Sequence, residues 1–331
     1  MIKLDYFDDA DTASHLSVLK TFVMDRLSRV KSEKLKLANS INTPYLDDLI
    51  VYLGKNIRQI LIAKPAQLRR FITMFANAFD SLDVVLATKS TNRSAIENDV
   101  VAGLKWIFDY DAFSTWTHAK WNAYSLVSLH ELRICPYCHA SHLNFHVHDF
   151  KDMRPPLDHF YPRSRYPFLG TSFYNLIPSC HQCNSSVKGA KNPLDENLTH
   201  PYDIDETDIR FRIKSAKPID APLAPDDIEI CIEVTGGSNA DRSIEFFALR
   251  GRYQWYKHEV AEVHARLLSQ HDKTGTLGRL VGTRHYVYGF SESKLRERAL
   301  GRCIKDVVSD LERRLPLRHR RVPPTSKTAA V

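Results

Sequence analysis

Cys135, Cys138, Asp158, His159, Asn175, Cys180, Cys183 and Asn184 follow one another in an order suited to metal binding and hydrolysis. The segment opens with Cys135-Pro-Tyr-Cys138 and closes with Cys180-His-Gln-Cys183, with 41 residues between the pairs. Two CxxC turns supply four thiolates in a tetrahedron with little strain, which is the coordination Zn²⁺ prefers. A site closed by four cysteines has no open position, so this zinc is expected to be structural. Nothing at the N-terminus reads as a secretory signal, because Met-Ile-Lys-Leu-Asp-Tyr-Phe-Asp-Asp is acidic and lacks an apolar core. A reducing cytoplasm is therefore expected, where such pairs are ligands rather than disulfides. Cys231 and Cys303 stand apart and are expected to be buried small hydrophobes.

The insert between the pairs carries Asp158-His159. A neutral imidazole can take a proton from water, and a carboxylate is a hard oxygen ligand for Mg²⁺. At a bent strand end, neighbouring side chains can line one cleft. Asn184 follows the last cysteine, near an expected helix start, where its oxygen can complete a metal site opposite Asp158. Asn175 lies nine residues earlier and can pin the His159 loop by hydrogen bonds. Arg163, Arg165 and Lys188 are the nearby candidates for phosphate contacts. A lone histidine is more often structural, and an asparagine after CxxC can simply cap a helix. The joint pattern is what points to chemistry.

That pattern resembles the HNH nuclease family. The matching features are Asp158-His159-Phe160-Tyr161-Pro162, Asn175-Leu-Ile-Pro-Ser-Cys180, Cys183-Asn184 and Lys188-Gly189, inside a CxxC frame. Asn184 stands where the family motif also takes His. The wording is close to HNH proteins of bacterial anti-phage systems, Septu-like and retron-linked. The resemblance is close over the cysteine-framed segment and loose after it, and it leaves out the first 130 residues. It implies a ββα-metal fold: a strand with Asp158 and His159, a loop, a strand with Asn175, and a helix beginning at Cys183-Asn184. It further implies hydrolysis of phosphodiesters in nucleic acid, most simply DNA, with His159 as base and Mg²⁺ or Mn²⁺ on Asp158 and Asn184. An ATPase subunit of a defence complex is the implied protein partner. The competing reading is a zinc-stabilised module that binds nucleic acid or protein without cutting.

The elements that must position these residues are of three kinds, giving an α+β chain. Residues 1–132 read as a helical, docking or regulatory domain. Leu16, Leu19, Phe22, Val23, Leu27 and Val30 form one stripe over 14–36, and Leu68, Phe71, Ile72, Phe75 and Phe79 form another after Pro65. Ser94 with Glu97 reads as a capping box, and a helix over 111–132 is expected to bury Trp116, Trp121 and Leu126. Residues 133–200 read as the nuclease core, poor in long periodic apolar stretches, so a metal is its natural staple. Within it, 142–148 alternates as a strand, with Leu143, Phe145 and Val147 on one face and His142, Asn144, His146 and His148 on the other.

Residues 201–315 read as a strand-helix extension packed on the core. Ile209, Phe211 and Ile213 alternate, as do Ile228, Ile230, Ile232 and Val234, and a proline-rich loop joins the two runs. Helices are expected over 251–269 and from an N-cap at Ser291 to about 314, where Pro316 stops the second. Residues 316–331 form a basic tail. The net charge is +7 over 331 residues, and 313–327 carries six basic side chains and no acid, which suits phosphates. No apolar run reaches the ~18 residues that a membrane helix needs.

Overall fold

The computed structural model describes residues 1–116, 120–147, 153–235, 239–269 and 284–315. The basic tail over 316–331 and His148 lie outside the described residues. The chain divides into two compact units. One comprises Lys3–Pro136 and Leu143–Ile204. The other takes Met1–Ile2, Tyr137–His142 and the chain from Asp205 onward. The boundary expected at 132/133 therefore does not separate two bodies: most of the helical segment and most of the cysteine-framed segment share one core.

The helical part contains α1 (Asp9–Glu33), α2 (Lys36–Ile41), α3 (Thr43–Lys55), α4 (Ile57–Ile62), α5 (Pro65–Ala78), α6 (Asp80–Ala87), α7 (Ala95–Ile107), α8 (Tyr110–Thr115) and α9 (Ala123–His130). Helix α1 begins at a reciprocal capping box between Asp8 and Asp11 and buries Leu19, Val23, Leu27 and Val30. Leu16 and Phe22, expected on the same stripe, are only half-buried. Ser94 and Glu97 make the expected capping box of α7. The single helix expected over 111–132 is instead two. Asp109 caps α8, and Asn122 starts a new helix at α9 by accepting from the Ser125 N–H. Trp121 and Leu126 are buried, but Trp116 is only half-buried.

The apolar face of α5 explains why this unit holds together. Phe75 and Phe71 receive the ring of Phe168, at centroid distances of 4.2 and 5.7 Å. Phe168 belongs to the turn Pro167–Leu169 in the cysteine-framed segment. Nearby, buried His15 of α1 donates from Nε2 to the Thr171 carbonyl at 2.9 Å and accepts from Trp121 Nε1 at 3.0 Å. Arg165 pairs with Asp83 at the start of α6. The helices thus form the floor on which residues 157–178 are laid.

Those residues carry a minimal antiparallel pair, β1 (Leu157–His159) and β2 (Leu176–Pro178), with Asp158 opposite Ile177 and His159 opposite Leu176. A π-helical turn, Gln182–Lys188, follows.

In the other unit, β3 (Ile209–Lys214) and β4 (Glu229–Val234) pair antiparallel, with Phe211 opposite Ile232. The predicted alternation is realised at Ile209, Phe211, Ile213, Ile228, Ile230 and Ile232, which are buried, while Val234 is half-buried. Helices α10 (Ala240–Phe246), α11 (Leu249–Tyr253), α12 (Lys257–Ser269), α13 (Arg284–Tyr288) and α14 (Gly301–Arg314) complete the unit, and α14 lies against β3. The last helix starts at Gly301, not at Ser291. Ser291 precedes a 3-10 turn, Glu292–Glu297, and the chain then doubles back so closely that a Cβ at Gly301 would lie 2.2 Å from the Leu295 carbonyl oxygen. The helix expected over 251–269 is likewise interrupted, at Gln254–Tyr256. Cys303 is buried as expected, whereas Cys231 is only half-buried on β4.

Candidate active site

The thiols of Cys135, Cys138, Cys180 and Cys183 lie within 4.8 Å of one another and are all buried. None is in a disulfide. Sulfur atoms around one Zn²⁺ at ~2.3 Å stand a little under 4 Å apart, so modest closure makes a tetrahedron. The local turns already have the form such sites need. The Cys183 N–H points at Cys180 Sγ at 3.4 Å, and His139 after the first pair takes a left-handed conformation, φ 51°. Four buried soft donors converging in this way can hold a metal ion such as zinc. The first turn is buttressed by Tyr253, whose hydroxyl donates to the Cys138 carbonyl at 2.7 Å, and by Tyr137, stacked on Phe247 at 4.5 Å.

The short pair β1–β2 presents Asp158 and His159. Asp158 is buried, and its Oδ1 accepts from Lys188 Nζ at 3.0 Å. His159 is half-buried at the end of β1. Its Nε2 contacts the Gly170 carbonyl at 2.9 Å. A carbonyl can only accept, so Nε2 carries the proton and Nδ1 keeps its lone pair. Burial pushes the imidazole pKa down to about 3. The Gly170 carbonyl opposes that shift, while the positive charges of Arg163 and Lys188 add to it. The ring is neutral throughout the physiological range. Tyr110, the first residue of α8, stands edge-on to it at 4.5 Å.

Asn175 does what its position suggested. It is fully buried just before β2, and its Oδ1 accepts from the Tyr161 N–H at 2.7 Å. Its Nδ2 donates to the carbonyls of Tyr161 and Leu169, both at 3.0 Å. One amide therefore ties both ends of the loop that leaves His159 and returns to Gly170.

Asn184 sits half-buried in the π-turn, and among the described residues its side-chain amide makes no hydrogen bond. The helix expected to begin at Cys183-Asn184 is this wider turn. Residues five apart lie about 140° round an α-helix, whereas i→i+5 geometry brings them nearly into line. That is how Cys183 and Lys188 are both buried on one side.

The basic candidates are placed differently from one another. Arg163 is exposed and pairs with exposed Asp111 at 2.8 Å. Arg165 is committed to Asp83 through a side-chain contact of 2.7 Å and a backbone contact of 3.0 Å. Lys188, expected to face phosphate, points inward, its side chain 1% exposed, and also donates to the His159 carbonyl at 2.6 Å. The expected strand over 142–148 is absent among the described residues. His146 and Met153 form a single bridge, and Phe145 and Val147 are exposed rather than buried, leaving only Leu143 inside.

Sequence reasoning missed Gly170 and Tyr110. A Cβ on Gly170 would lie 2.7 Å from the Phe108 carbonyl oxygen. With Phe108, Tyr110, Asp111 and Arg163, Gly170 also lines a cleft of ≈ 210 Å³, of whose lining His159 is not a part. Neither residue carries a spacing signal, because both reach His159 through tertiary packing.

No family model matches this chain, and no solved structure matches it. A stretch of 58 residues is 45% identical to protein Ea31 of Escherichia phage lambda. It covers 17% of this chain and 19% of Ea31, so the likeness is local.

Proposed function

We propose that the chain is an HNH-type endonuclease that hydrolyses phosphodiester bonds in nucleic acid, with DNA as the first substrate to test. The observation that carries this reading is the state of His159. Its Nε2 proton is committed to the Gly170 carbonyl at 2.9 Å, which leaves Nδ1 as the acceptor. A general base needs that combination of fixed tautomer and fixed ring. Asp158 precedes it on the same strand, and Asn175 holds the connecting loop.

In this mechanism His159 Nδ1 takes the proton of the attacking water. A base with so low a pKa is weak by itself, and the negative phosphate of a bound substrate raises its proton affinity. Asp158 and Asn184 would hold a catalytic Mg²⁺ or Mn²⁺, since a carboxylate and an amide oxygen are the hard donors such ions take. The ion would stabilise negative charge on the phosphate and on the leaving oxygen. Arg163 lies over the Tyr110 ring and its charge is met by a surface ion pair with Asp111, of the kind worth at most ~1 kcal/mol, so exchange of Asp111 for a phosphate oxygen is easy. The four cysteines keep the segment folded and take no part in the chemistry. The resemblance to defence nucleases adds an ATPase partner to this proposal, and co-purification from native cells would test that part.

The deciding experiment is plasmid cleavage with Mg²⁺ or Mn²⁺ by wild type and His159→Ala. Cleavage by wild type alone supports the reading. Equal cleavage by both ends it. Cleavage by neither, with RNA substrates tried as well, favours the module that binds without cutting.

A further inference from the structure

We propose that Lys188 is the resident counter-ion of Asp158, and that a divalent cation reaches Asp158 only together with a phosphate of bound nucleic acid. This deepens the nuclease reading and rests on it. The Lys188 Nζ lies 3.0 Å from Asp158 Oδ1 and 2.6 Å from the His159 carbonyl oxygen. The two side chains are 1% and 2% exposed, so this ammonium is enclosed by protein rather than shared with solvent. It reaches there because the 182–188 turn is wide enough to carry it inward with Cys183. Gly189, in the left-handed region at φ 54°, then ends the turn and donates to the Asn184 carbonyl at 2.8 Å. The lysine is therefore fixed from both ends of its helical turn, like a strut.

Charge bookkeeping gives the consequence. Asp158 and Lys188 together are neutral. A dication placed on Asp158 would sit beside a buried ammonium, and like charges repel strongly where water is excluded. The free protein is therefore a poor metal binder at this carboxylate. A phosphate adds negative charge and oxygen ligands to the same place. It offsets the repulsion, and it can draw the ammonium toward itself. Metal and nucleic acid then bind with positive coupling, each raising the affinity for the other. The chain would not carry a charged, cutting-competent metal site in the absence of substrate.

The test is Mn²⁺ binding to the full, zinc-loaded chain, read by electron paramagnetic resonance, with and without a short DNA duplex. A His159→Ala background prevents turnover and keeps the backbone carbonyl that Lys188 contacts. Asp158→Asn in the same background identifies the Mn²⁺ that belongs to this carboxylate. The expected result is an Asp158-dependent site at least tenfold tighter with DNA than without it. Lys188→Met is expected to tighten the DNA-free site by a similar factor. Equally tight Asp158-dependent binding with and without DNA would overturn the coupling and leave the nuclease reading standing. A folded Lys188→Met with unchanged Mn²⁺ affinity would overturn the role of the lysine. No Asp158-dependent Mn²⁺ even with DNA would remove both proposals. Should Lys188→Met not fold, since it strands a buried carboxylate, the comparison with and without DNA decides.

Discussion

His159 and Gly170 are joined by one hydrogen bond, 2.9 Å from Nε2 to the carbonyl oxygen, and Gly170 is itself wedged against the backbone of Phe108. The orientation of the imidazole is thus set by a contact to the end of α7, well outside the cysteine-framed segment. Removing the ring should cost chemistry far more than folding, because what the fold gives up is one hydrogen bond to Gly170 and the edge contact with Tyr110. His159→Ala is expected to lose ~10²–10⁴-fold in cleavage rate, the usual worth of a positioned base. Its zinc content and melting temperature should stay close to wild type. A variant that unfolds would make His159 structural.

Gly170→Ala tests the same relationship from the other side. The added methyl would meet the Phe108 carbonyl at 2.7 Å and the Pro167 carbonyl at 3.1 Å, both backbone atoms that cannot swing away. The loop must shift, and with it the acceptor that fixes His159. Overpacking of this kind costs ~1–3 kcal/mol, which denaturant melts would register. Cleavage is expected to fall by more than the fraction unfolded accounts for. Wild-type activity in a destabilised Gly170→Ala would show that the carbonyl does not position the base.

Much of this was legible in the sequence because it is written in local signals. Ser94 with Glu97, the stripe of Leu19 to Val30, and the alternation of Ile209, Phe211 and Ile213 each report a period or a cap, and each appears in the structure. The cysteine pairs were legible for the same reason: their spacing is the ligand geometry. What failed were inferences in which tertiary contacts outvote local pattern. Among the described residues the alternation of 142–147 meets a partner at one bridge, His146 to Met153, rather than a sheet, and Phe145 and Val147 are exposed. Ser291 looks like a cap, yet the close approach at Gly301 delays the helix. Lys188 looks like a surface lysine until a wide turn carries it to Asp158. No single-sequence pattern encodes that turn.

Asn175 makes three hydrogen bonds from a fully buried amide, so its replacement should be costly in a graded way. Asn175→Ala leaves the Tyr161 N–H and two carbonyls without their partner, and each stranded buried group costs ~1–3 kcal/mol. Asn175→Asp keeps the acceptor for Tyr161 but turns both donor contacts into repulsion between oxygens. Both variants are expected to lower the melting temperature and to abolish cleavage. A fully stable, inactive Asn175→Asp would instead assign the amide to substrate.

The zinc assignment has a direct readout. The purified chain should carry one zinc ion, bound to the four cysteines, by elemental analysis. Cys180→Ser should lower that content and reduce solubility, since without the metal four buried thiols and the turns that carry them lose what draws them together. Strong chelators should destabilise wild type in the same direction. A stable, metal-free and active Cys180→Ser would show that the cysteines are not the scaffold.

Acid should loosen the loop that holds the base, through His15. This residue is completely buried, and burial pushes its pKa from the ordinary 6.5 down to about 4, against the pull of the Thr171 carbonyl. The neutral ring accepts from Trp121 through Nδ1 and donates to Thr171, next to Gly170. Protonation would destroy the acceptor. The unfolded chain binds this proton from pH 6.5 downward, and the folded chain resists it until about 4. The stabilising difference is therefore complete above 6.5 and is lost as pH falls through that window. A shift of this size corresponds to about 3 kcal/mol for one histidine. Buried His200, depressed to about 3, adds to the slope with the same sign. Urea melts between pH 7.5 and 4.5 should show stability dropping steadily below pH 6.5, by ~1 kcal/mol or more per pH unit. In His15→Gln, which has no such proton to gain, the slope should be shallower by about one histidine's share. A flat profile in wild type over that range would mean that these imidazoles are not held neutral by burial.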